Sequence, residues 1–106
     1  SRGDSFEDYI ELLFRFFTAI RALDPGGWES GRSPFFRARV LRALLRVLSD
    51  MLSHANFTDL STPMLYTQLQ RIDVGTLTDE ELRRVQGSAG VQDLYKQIQS
   101  QIADGE

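Results

Sequence analysis

A chain of 106 residues, 42% hydrophobic and 25% charged, has the size and composition of one folded domain over 1–106, with fraying expected at 1–4 and 104–106. It has no cysteine, which excludes a disulfide framework and thiolate metal sites and favours an intracellular, cytoplasmic setting. A formal net charge of -3 disfavours general nucleic-acid affinity, and no apolar run approaches the roughly 20 residues of a bilayer span.

The spacing predicts a first helix over about Phe6 to Leu23, capped by Ser5 with Asp8 completing the box, and stopped by Asp24-Pro25-Gly26-Gly27. A glycine-rich loop holding Trp28, the only tryptophan, leads to Ser33-Pro34. There a serine cap and a proline at the first helical position start a second helix that reaches about His54. Thr62-Pro63 repeats that signal and opens a shorter helix to Ile72. Thr78 and Glu81 form a capping box with Leu77 and Leu82 at the staple positions, and Gly87 closes that fourth helix. A last helix is expected from Val91 to Ala103. With no strand signal and no repeat, the fold class is all-α, a single-domain bundle of four to five helices.

The first helix is the unusual one. Within YIELLFRFFTAI (9–20), nine of twelve residues are apolar and four are aromatic. At about 100° per residue, its apolar side chains cover roughly 220° of circumference, from Leu12 and Ala19 at one edge to Phe14 at the other. Glu7, Glu11, Arg15 and Thr18 share the narrow polar strip, with Glu11 and Arg15 placed as an i, i+4 pair. A surface helix needs an apolar stripe only a little over about 100° wide. This helix must therefore be central in the bundle, or meet a second molecule along one flank. Leu12, Phe14 and Phe16, with Trp28, are the candidate partner-binding residues. The expected partner is a second copy of the chain, giving a homo-oligomer, or another protein.

Eleven of the twelve basic residues are arginine, and five lie between Arg32 and Arg46 with no acid among them. Arg37, Arg39, Arg42 and Arg46 form an alternative site for an acidic protein or RNA, since a guanidinium pairs bidentately with carboxylate and phosphate. Against this, Asp50 follows Arg46 by one turn, and the face lacks the aromatic interleaving of nucleic-acid binders.

No catalytic set, metal site or cofactor is expected. His54 is the only histidine and supplies no zinc set without cysteine. Ser5, Ser33, Thr62 and Thr78 read as caps, and Gly26-Gly27 lacks the lysine and spacing of a phosphate loop. Arg2-Gly3-Asp4, the tripeptide of integrin ligands, sits at the terminus. An opening at Ser1 fits a processed product or a piece of a longer protein.

Phe6-Glu7-Asp8-Tyr9-Ile10, with Gly3 before it and His54-Ala55-Asn56 later, resembles the helix start in the C-terminal domain of retroviral capsid proteins, which are small all-helical dimerisers. Arg2 stands where that family has glutamine, and the glutamate and arginine that follow do not align without a shift. The reading therefore rests on the helical pattern: a non-enzymatic interaction or assembly module that self-associates through the aromatic first helix.

Overall fold

The computed structural model describes residues 6–77, 79–84 and 87–104. The caps expected at Ser5 and Thr78, and Arg2-Gly3-Asp4, fall outside them. The described residues form one compact all-α domain without strands. Its six α-helices are α1 (Phe6–Leu23), α2 (Pro25–Ser30), α3 (Ala38–His54), α4 (Thr62–Leu69), α5 (Asp79–Arg84) and α6 (Gly87–Asp104). Single 3-10 turns at Pro34–Phe36, Phe57–Asp59 and Val74–Leu77 join them.

Helix α1 ends at Leu23, as Asp24-Pro25 dictates. The segment expected as a loop is a short helix, α2. The same Asp24 caps it by accepting from the Gly27 N–H (3.2 Å), and Pro25 takes the first position. A Cβ on Gly27 would lie 2.3 Å from an Asp24 carboxylate oxygen, so the cap requires glycine there. Gly31 ends α2 in the left-handed region, at φ 74°.

The second predicted helix is broken. Ser33 caps as expected, accepting from Phe35 N–H, but one 3-10 turn follows and Arg37 is extended before α3 begins at Ala38. That break allows Phe35 to enter the core while Phe36 lies against Trp28 (ring centroids 4.8 Å apart).

Helix α4 is capped by Ser61, one residue before the expected Thr62, through Met64 N–H. It is also shorter than the pattern suggested: it ends at Leu69, and a tight turn then carries Ile72 into the core. Gly87 opens α6 instead of closing α5, so the last helix begins a turn earlier than Val91.

Two helix pairs carry the packing: α1 lies on α4, and α3 lies on α6. Their shared core holds Phe16, Ile20, Val40, Leu44, Leu65, Leu69 and Ile98, all buried. Each such side chain contributes about 1.5–3 kcal/mol relative to exposure. Helix α1 is thus a flank of the domain and not its centre. Its extensive partner is an eight-residue helix, too short to wrap both of its sides.

Candidate docking surface on the first helix

The roughly 220° apolar arc of α1 divides into two parts. About 100° of it faces α4 and the core: Leu12, Phe16, Ala19 and Ile20 are buried. The next 100° or so is open. Phe6 is 78% exposed, Ile10 50% and Phe14 73%, spaced i, i+4, i+8 along one ridge. Leu13 and Phe17 border that ridge, half-buried, with Phe17 edge-on to Phe16 (5.7 Å). Taking about 200 Å² for a whole phenylalanine, the three ridge residues present on the order of 400 Å². The largest apolar patch on an ordinary monomer is about 300–600 Å² and is often functional.

The polar strip lies where the pattern put it. Arg15 donates to Glu11 (2.8 Å) and also to the buried Leu60 carbonyl (3.2 Å), tying α1 to the segment that enters α4. With Leu12, Phe16, Ala19 and Ile20 buried and Arg15 held at the entry to α4, the Phe6–Ile10–Phe14 ridge lies on the outward side of α1.

The four predicted partner residues separate. Phe14 is on the open ridge. Leu12 and Phe16 are 2% and 0% exposed and belong to the core, so the surface expected to include them does not. Phe16 sits at the middle of the buried half, where α4 covers it. Trp28 is half-buried, packed on the core and tilted against Phe36 at 42°, so it covers the core and does not project as an anchor. Phe6, Ile10 and Phe17 were missed as individual residues, although they stand on the same 3.6-residue stripe that singled out Phe14.

The arginine face is largely occupied. Arg39 donates to the Leu82 carbonyl of α5 (2.5 Å). Arg46 donates to Gln92 and lies over the Tyr95 ring, 4.4 Å from its centroid. Asp50 accepts from the Tyr95 hydroxyl and from Gln99 (2.8 Å), so α3 and α6 are laced by side chains from both. The hydrogen bond to Asp50, then burial and the carboxylate charge, raise the Tyr95 phenol above its ordinary pKa. Arg42 is exposed and makes no hydrogen bond or ion pair among the described residues. Arg37 lines two adjoining clefts of about 370 and 570 Å³; Arg39 and Arg83 share the first, and Arg32 the second. Arg83 joins this group from α5, and nothing local in the sequence marks it.

His54 donates from Nδ1 to the Asp50 carbonyl (2.9 Å), a local contact in the last turn of α3. It borders an apolar groove of about 350 Å³ with Met51, Met64 and Ile102. Among the described residues no three histidine, cysteine or carboxylate side chains gather as a metal site, and no helix is long and apolar enough to cross a membrane.

Comparison with protein-family models, curated proteins and solved structures finds no match.

Proposed function

We propose that this chain is a non-enzymatic assembly module whose working surface is the open half of α1. The observation that carries the reading is the Phe6–Ile10–Phe14 ridge, contiguous with a buried face on the same helix. Leaving such a ridge in water forfeits the burial free energy of three large side chains, which a docked partner recovers. Charged groups beside the ridge orient the partner, and apolar burial supplies the affinity. The cysteine-free composition favours a reducing compartment.

Sedimentation velocity across low to high micromolar concentration tests this. Wild type self-associates, and Phe14→Glu sediments as a single copy with an unchanged circular dichroism spectrum. A wild-type protein that stays monomeric throughout overturns the reading, as does global unfolding of Phe14→Glu.

A charge-led reading, in which Arg42 and the clefts around Arg37 hold an acidic protein or RNA, rests on the exposure of these arginines. Binding of that kind weakens steeply with salt and is abolished by Arg42→Glu. Apolar docking weakens far less with salt, by no more than the screening of its flanking charges.

A further inference from the structure

The charges that flank the open ridge point to a specific arrangement. Along α1 they are segregated: Glu7, Asp8 and Glu11 lie in the first half, Arg15 and Arg21 in the second. Glu11 and Arg15 satisfy each other. Glu7 and Arg21 are exposed and make no hydrogen bond or ion pair among the described residues. Both project from the same edge of the ridge as Phe14, within about 40° of one another around the axis. They stand fourteen positions apart, with Phe14 midway.

We propose that α1 pairs with α1 of a second copy, antiparallel, about a two-fold axis passing beside Phe14. The proposal rests on the docking reading above and adds its occupant and register. A two-fold axis perpendicular to both helices keeps each edge of the ridge facing the same edge of the other copy. Position 7 of one copy then stands level with position 21 of the other, so Glu7 meets Arg21 twice in the assembly. The same register lays Phe14 against its own copy and Ile10 against Phe17 of the second copy, while the two Leu13 side chains close the opposite edge. A parallel pair, about a two-fold axis along the helices, would put the two Glu7 side chains on opposite edges of the seam and leave Glu7 and Arg21 a full fourteen positions apart, and it would align the two helix dipoles unfavourably. Two patches of this size form an interface of about 800 Å², below the roughly 1,200 Å² of stable specific complexes and in the range of weak, transient ones. The dimer is therefore weak and concentration-dependent, which makes the charge pairs visible in its affinity.

The absence of cysteine gives a direct test. Single cysteines are introduced at exposed ridge positions of the full chain and oxidised at a concentration where wild type is associated. Phe14→Cys cross-links to itself. Glu7→Cys does not, because its two copies lie about 21 Å apart along the axes. Cross-linking of Glu7→Cys to itself at equal yield overturns the antiparallel register. In parallel, dissociation constants are measured at low salt for Glu7→Arg, Arg21→Glu and the double variant. Each single reversal weakens association about tenfold, and the double reversal restores it to within about threefold of wild type. If the reversals change nothing while Phe14→Glu still dissociates the protein, the register is wrong and the docking surface stands. If Phe14→Glu also changes nothing, or wild type never associates, both are wrong.

Discussion

Helices α1 and α6 have the same length, eighteen residues, and opposite economies. Helix α6 buries Leu94, Ile98 and Ile102 on a narrow stripe, and five of its flanking polar side chains find partners on neighbouring elements. Gln92, Tyr95 and Gln99 reach α3 on one side. On the other, Gln97 donates to Thr76 and Gln101 accepts from the Asp73 N–H, both at 2.9 Å. Helix α1 buries a similar stripe, yet beside it stands a second apolar ridge left exposed among the described residues. One helix is complete within a single copy of the chain, and the other is half complete. A polar flank can be satisfied by nearby loops, whereas a wide apolar flank needs a whole second surface.

The sharpest way to break this comparison is to truncate both halves of α1 and the stripe of α6. Phe16→Ala and Ile98→Ala each cost about 2–5 kcal/mol in urea unfolding at dilute concentration. Phe14→Ala stays within about 0.5 kcal/mol under the same conditions. A Phe14 cost equal to that of Phe16 would mean the ridge is core after all.

The lacing of α6 can be weighed against the local pair on α1. Asp50→Ala removes the acceptor shared by Tyr95 and Gln99 and lowers stability by about 1–3 kcal/mol. Glu11→Ala removes one exposed pair and costs about 0.5 kcal/mol or less. Equal losses would dissolve the distinction between the two helices.

The smallest effect concerns pH. Because the folded state holds the Tyr95 proton more tightly than the unfolded chain does, this bond contributes fully below the ordinary phenol value of about 10. Its contribution is lost as pH rises through the raised folded value. Wild type therefore loses more stability than Tyr95→Phe between neutral and strongly alkaline pH, read from urea midpoints. Parallel curves for the two proteins would show that Asp50 does not govern this phenol.

Much of this architecture was legible locally. The all-α class, both ends of α1, the C-terminal end of α3, the Ser33 cap and the Glu11–Arg15 pair follow from capping chemistry and 3.6-residue spacing, both of which act within a few residues. The excess of apolar circumference on α1 was legible in the same way. What could not be read was its division. Periodicity counts an apolar arc but does not say which part a neighbour takes, and so Leu12 and Phe16 were assigned to the surface beside Phe14. Which arginines of α3 have partners could not be read for a related reason. The partners of Arg39 and Arg46 lie more than forty positions away, beyond the reach of any local pattern.

By itself, then, the sequence determined that the chain is all-α, where α1 starts and stops, where α3 ends, and how much oily surface α1 must hide, because those are short-range properties of side chains on a helix. Only the tertiary structure decided which half of α1 is hidden. That choice depends on the packing of α1 on α4, with Arg15 reaching the Leu60 carbonyl at its edge, and on α4 being too short and α6 already committed to α3. These contacts join residues distant along the chain, and their geometry exists only once the core has formed.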